Sequence, residues 1–288
     1  MHGLHVKDAS LAELERIATS HGVVKTLLMA TYFPFKGTGL HNRELLARIA
    51  GNNHFAAIGS LDASGDVKAG IAELADLARH EQIVGLKLYP GYQPVSAADP
   101  RLWPLYELAA RFELPVTIHG GSLHHCCHGQ QRAQGLGPCG KKVCPLDALE
   151  HMSHPYGLAP VFAAWPEVTF VVAHLASPYF AELREIMTVY SNVMTDISGQ
   201  FVSGSSEDTL AYRAELIDEL KKFAALPHGY ERLMFGTDFP IQSHADSVWL
   251  LKQLHLDPHI ESLIAWRNAN RIYSLDPILA RQIGLGDD

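Results

Sequence analysis

Four consecutive apolar runs in this chain each end on a side chain that can ligate a metal or move a proton, and that recurrence narrows the folds open to it. LPVTIHGG at 114–121 delivers His119, VTFVVAH at 168–174 delivers His174, NVMTD at 192–196 delivers Asp196, and LMFGTD at 233–238 delivers Asp238. Val116, Thr117 and Ile118 are β-branched, and Gly120-Gly121 cannot comfortably continue a ladder. The first run is therefore a buried strand that ends in a corner, and the others follow its pattern.

Between such runs the spacing becomes helical. SLAELERIATSHG, from Ser10, puts Leu11, Leu14, Ile17 and Ala18 on one face, with a serine cap before and a glycine after. The same periodicity predicts helices over 41–50, 67–79, 102–112, 158–164, 179–189, 209–225 and 246–254, and one or two closing helices from 260 onward. Further strands are expected over 23–30, 55–61 and 83–89. Strict alternation implies a parallel sheet with helices outside it, and runs apolar on both faces suit one. A doubly wound open sheet is the alternative, but nothing like GxGxxG follows the first strand, and polar residues gather at the strand tips instead. The expected architecture is an α/β (β/α)8 TIM barrel in a single domain over 1–288. Only seven strands can be counted, so its first strand is expected to be truncated. A Cys/His-rich insertion at about 122–155 follows the fifth barrel strand, as such connections are usually only about two to six residues long.

With 288 residues and 47% hydrophobic composition, the chain can fill one large core. A net charge of −8, with no basic cluster beyond two adjacent lysines, argues against nucleic acid or an anionic membrane as partner. No apolar run approaches the roughly 20 residues of a membrane span, and MHGLHVKDAS lacks the pattern of a signal peptide, so a cytoplasmic location is expected. All four cysteines, Cys126, Cys127, Cys139 and Cys144, sit in the one insertion, a reduced local cluster rather than a disulfide framework.

Strand residues of equal parity share a face, so Thr117 points with His119, Val172 with His174, Met194 with Asp196, Gly236 with Asp238, and Lys87 with Tyr89. Two histidines and two aspartates around one opening can hold a divalent cation, zinc or manganese, with a position left for water. The plain alternative for each is a hydrogen-bonded polar group at a strand end; Asp196 in particular could cap the next turn. Lys87 is read as an anion-binding or core-pairing lysine, and Tyr89, Tyr92 and Phe239 line the pocket by position. In the insertion, Cys126, Cys127, Cys139, Cys144 and His128 offer a loosely spaced second metal site, or else a lid whose cysteines are merely small and buried.

The motifs GLKLYPGY (85–92), LPVTIHGG, the stretch from Trp165 through Pro166 and Val171 to AHL (173–175), DISG (196–199), FGTDFP (235–240) and NANRIY (268–273) stand in an order that resembles the amidohydrolase superfamily. The likeness runs from about 23 to 273. It is strongest to the branch that includes aminocarboxymuconate-semialdehyde and resorcylate decarboxylases and several lactone hydrolases. The resemblance implies that His119 and Asp238 ligate the metal, and that His174 polarises the substrate, shuttles a proton or joins the ion. One motif departs from the pattern: the family's His-x-His on its first strand is missing. Met1-His2-Gly3 is read as the remainder of such a motif, with His2 as the second ligand of the pair. The expected function is metal-dependent hydrolysis of a small carboxylic ester, lactone or amide. The alternatives are non-oxidative decarboxylation of a small aromatic or muconate-like acid and, from another class, a degenerate barrel that binds without catalysis. The partner is a small-molecule substrate; the oligomeric state stays open, a homo-oligomer included.

Overall fold

The structure, a computed structural model, describes residues 8–33, 39–124, 134, 144–206 and 208–275. Seven strands, β1 (Thr26–Met29), β2 (Phe55–Ser60), β3 (Gly85–Leu88), β4 (Val116–Ile118), β5 (Phe170–Val172), β6 (Val193–Asp196) and β7 (Leu233–Met234), lie side by side in chain order. Every pair is parallel. They form a half-barrel whose edge strands, β1 and β7, are not hydrogen-bonded to each other among the described residues. All seven coincide with expected runs, though each is shorter than its apolar stretch.

Helices connect the strands: α1 (Leu11–Ser20), α2 (Asn42–Ile49), α3 (Val67–Arg79), α4 (Trp103–Arg111), α5 (Pro155–Ala164), α6 (Phe180–Val189), α7 (Leu210–Ala224) and α8 (His244–Lys252). Their starts follow local chemistry. Ser10, Asp66, Thr209 and Ser243 each accept a hydrogen bond from a first-turn backbone N–H, which satisfies a donor the helix leaves free. Two starts precede the expected ones: α5 opens on Pro155, whose missing N–H suits a first turn, and Ser243 draws α8 forward to His244. The tail forms α9 (Pro258–Ser262), a π-helical turn (Leu263–Arg267) and α10 (Asn268–Ile272).

Register divides the sheet into two faces. Ser60 stands opposite Lys87, Lys87 opposite Thr117, Thr117 opposite Val171, and Val171 opposite Met194. On that face Ile58, Val171, Met194 and Met234 pack with Ile272, Tyr273 and Leu275 from the tail. On the other, Phe55, Ala57, Leu86, Leu88, Val116, Ile118, Phe170, Val172 and Val193 meet the helices. Burying each large apolar side chain contributes roughly 1.5–3 kcal/mol, so this outer layer dominates stability. The tail is thus more than a closing helix: Tyr273 enters the inner face and shares a 2.8 Å hydrogen bond with Thr117.

Polar side chains stitch the mouth. Buried Gln93 donates through Nε2 to the carbonyls of Tyr32 and Leu61 and accepts from the Ala63 N–H, which ties together the connections after β1, β2 and β3. No helix among the described residues is long and apolar enough to cross a membrane. Within the expected insertion, the described part holds 3-10 turns at Pro145–Ala148 and Glu150–Met152. Cys126, Cys127, Cys139, His128 and His2 lie outside the described residues.

Candidate active site

The C-terminal ends of β3 to β7 bring together most of the residues singled out by sequence. Just past β4, buried His119 stacks at a tilt against Tyr92, with ring centroids 4.8 Å apart, and against His174 at 5.2 Å. Its Nε2 lies 3.3 Å from the Ser122 carbonyl. Burial, then the nearby His174 and Lys87, holds its imidazole well below the ordinary histidine range, so it is neutral.

His174 reaches the mouth by a route that alternation does not describe. Its parity partner Val172 faces the helices, which corrects the expectation that the two point together. The strand ends at Val172, and His174, Leu175 and Ala176 all take positive φ, at 63°, 52° and 51°. That left-handed corner turns the imidazole back over the sheet, a strained geometry of the kind functional sites tolerate. Asp238 sits beyond β7 with φ 55°. A Cβ placed on Gly199 would lie 2.7 Å from His174 Nδ1 and 3.0 Å from Asp238 Oδ2, so the imidazole and the carboxylate flank one point. Asp238 stays open to solvent at the mouth, yet enough protein surrounds it for lost hydration to raise its carboxyl, against the pull of His174 and Lys87.

Behind them Lys87 is 3% exposed. Burial brings its ammonium down to about 8, while Asp196 and Asp238 favour the charged form. Its Nζ lies 5.1 Å from the centre of the Tyr89 ring. Tyr89 donates to the Ala30 carbonyl and Tyr92 accepts from the His124 N–H, with Phe33 edge-on to both rings. Cys144 belongs to the same apolar wall, with Leu123 and Leu146. Phe239 lies tilted against His244, ring centroids 5.7 Å apart.

Asp196 does the work of a turn. Its Oδ1 accepts from the backbone N–H groups of His174 (3.2 Å) and Ser198 (3.0 Å) and from the Ser198 hydroxyl. Ser198 in turn meets His174 Nδ1 through its carbonyl (3.1 Å) and hydroxyl (2.9 Å). Sequence reasoning missed Ser198 and Gly199, although DISG contains both. It also missed a clamp between the loops that carry Asp196 and Asp238. Arg213 holds Asp208 with two hydrogen bonds and Asp246 with a third, while Asp246 also accepts from Ser203 and Ser243.

A neutral imidazole and a carboxylate that accepts no hydrogen bond from any described residue fit the donor chemistry of a divalent ion. No three His, Cys, Asp or Glu side chains form a cage among the described residues. The further ligand expected from sequence, His2, is outside them.

A family model described as amidohydrolase matches residues 30–275. No curated protein matches the chain. Among solved structures, an uncharacterized TIM-barrel protein from Bordetella bronchiseptica superposes with a TM-score of 0.68 at 18% identity, covering 92% of this chain and 83% of that one. A probable 2-pyrone-4,6-dicarboxylic acid hydrolase from Acinetobacter baumannii, with citric acid bound, gives 0.63 at 14% identity over 95% and 93%. A dihydroxybenzoic acid decarboxylase from Polaromonas sp. JS666, with manganese and 2-nitroresorcinol bound, gives 0.62 at 15% identity over 93% and 87%. At these identities the likeness is one of fold.

Proposed function

This chain belongs to the amidohydrolase family, and from that premise we propose that it is a metal-dependent hydrolase of a small carboxylic ester, lactone or amide. The observation that carries this reading is the meeting of His119, His174 and Asp238 at one mouth, with the Lys87 ammonium buried behind them. His119 and Asp238, completed by His2, are the residues that would hold zinc or manganese. Such an ion, when bound, supplies Lewis acidity that brings a water's pKa toward neutrality. Asp238, its carboxyl raised by the hydration it loses to the surrounding protein, is the better base for it and takes the proton from the attacking water. His174 aligns the group under attack. Lys87 offsets the negative charge that develops there, in surroundings dry enough to strengthen the attraction. The wall of Phe33, Tyr89 and Tyr92 suits a small, flat substrate.

One observation favours decarboxylation as a second reading. A carboxyl raised toward holding a proton, near a buried ammonium, is a pairing that can protonate carbon while the cation holds the substrate's carboxylate. Metal analysis, together with assays on 2-pyrone-4,6-dicarboxylate and 2,6-dihydroxybenzoate, tests both. Stoichiometric metal and a ring-opened acid without carbon dioxide support hydrolysis; carbon dioxide supports the second reading. No metal and no turnover leave the binding protein.

A further inference from the structure

We infer that Asp196 and Ser198 lock His174 in the tautomer that carries its hydrogen on Nδ1, so that Nε2 presents a lone pair to the site. The available hydrogens fix the direction of each bond around Ser198. Asp196 Oδ1 already accepts two backbone N–H groups, from His174 and Ser198, so that oxygen does not bear a proton. The short contact between it and Ser198 Oγ therefore has the serine as donor, and this uses the hydroxyl's single hydrogen. What Ser198 then shows to His174 Nδ1 is acceptor only: the hydroxyl lone pairs at 2.9 Å and the backbone carbonyl at 3.1 Å. Nδ1 must be the donor.

A second layer holds the carbonyl in place. Gln200 Nε2 donates to the same Ser198 oxygen at 2.9 Å, and the Gln200 N–H is held at 2.8 Å by Oε1 of fully buried Gln242. Gln242 Nε2 is anchored in turn on Ser247 Oγ at 2.7 Å. The chain runs from the start of α8 to the imidazole and has no donor pointing at Nδ1.

The consequence narrows what His174 can do. In its neutral form it accepts a proton, or a hydrogen bond from a substrate or water, through Nε2, and it cannot polarise a carbonyl by donating to it. Asp196 and Ser198 are positioning residues that act through His174. The tautomer itself does not depend on the hydrolase reading; only its catalytic meaning does.

Nitrogen NMR of the full-length protein labelled with ¹⁵N in its histidine rings tests this, with the His174 signals assigned from H174Q. The expected result is that the neutral His174 ring is found in one tautomer, with hydrogen on Nδ1 and a bare Nε2. D196N keeps an acceptor oxygen and keeps that signature. D196A frees the Ser198 hydroxyl to turn its hydrogen toward Nδ1, and a second population with hydrogen on Nε2 appears. A neutral His174 ring with hydrogen on Nε2 and none on Nδ1 in the unaltered protein overturns the inference, as does a D196A spectrum identical to it. Should D196A not fold, the unaltered protein still decides. Because no substrate is needed, an inactive protein would count against the hydrolase reading and leave this result standing.

Discussion

Replacing Gly199 by alanine probes the site with one methyl group, and a control elsewhere in the same loop separates its two effects. Gly199 has φ 60°, and its new Cβ would lie 2.7 Å from His174 Nδ1, 3.0 Å from Asp238 Oδ2 and 3.1 Å from His174 Cε1. Gly204 has φ 75°, and a Cβ there would meet nothing within 4 Å. Both substitutions force a β-carbon into left-handed backbone, at roughly 1–2 kcal/mol. Only G199A adds overpacking, worth about 1–3 kcal/mol where neighbours cannot yield. Here they cannot yield cheaply, because the imidazole is pinned by Ser198 through two contacts. G204A should therefore lose about 1–2 kcal/mol and G199A about 2–5 kcal/mol in urea unfolding at neutral pH. If His174 is displaced by about 1 Å, turnover should fall on the order of a hundredfold in G199A and stay unchanged in G204A. Equal losses of stability in the two variants would refute the claim that His174 and Asp238 crowd the point above Gly199.

Asp238→Asn keeps the shape and removes the charge, so metal measured after dialysis should fall from stoichiometric to under about a tenth, as expected when a charged ligand is lost. Arg213→Met strips two partly buried carboxylates of their cation and should lower stability by about 2–3 kcal/mol in urea titrations. The same pair sets an acid dependence. Hydrogen bonds from Arg213 hold Asp208 below the ordinary range; burial pushes Asp246 up, but hydrogen bonds from Ser203, Ser243 and Arg213 outweigh it and hold Asp246 below the ordinary range too. A depressed carboxylate stabilises in full above its unfolded value, about 3.9, and loses that contribution as pH drops through the lower folded value. Urea midpoints should therefore fall more steeply below about pH 4 in the unaltered protein than in R213M. Tyr273→Phe leaves the buried Thr117 hydroxyl without its partner and should cost about 1–2 kcal/mol by the same measurement.

What could be read from the sequence, and what could not, divides at the last ladder hydrogen bond of each strand. The seven strands were legible because a parallel sheet covered by helices needs apolar side chains on both faces, and runs such as Val116–Ile118 and Phe170–Val172 have them. Parity also agrees with the observed sheet at Lys87 and Thr117, which stand opposite each other within the β3–β4 register. It failed at His174, where the ladder has stopped and three successive positive φ values decide the direction instead. Beyond that point the functional side chains are held by bonds between residues far apart in the chain. His174 and Ser198 are 24 positions apart, Gln200 and Gln242 are 42, and Arg213 and Asp246 are 33. Periodicity carries no trace of such pairs. Asp196 could be read as either a turn cap or a site acid because both roles need a carboxylate at a strand end; only the three donors that converge on its Oδ1 favour the turn. The loops of this half-barrel therefore aim the chemistry while the strands supply the rim, and substitutions at Ser198, Gly199 or Gln242 should disturb the site more than equally drastic changes at the solvent-facing helix positions.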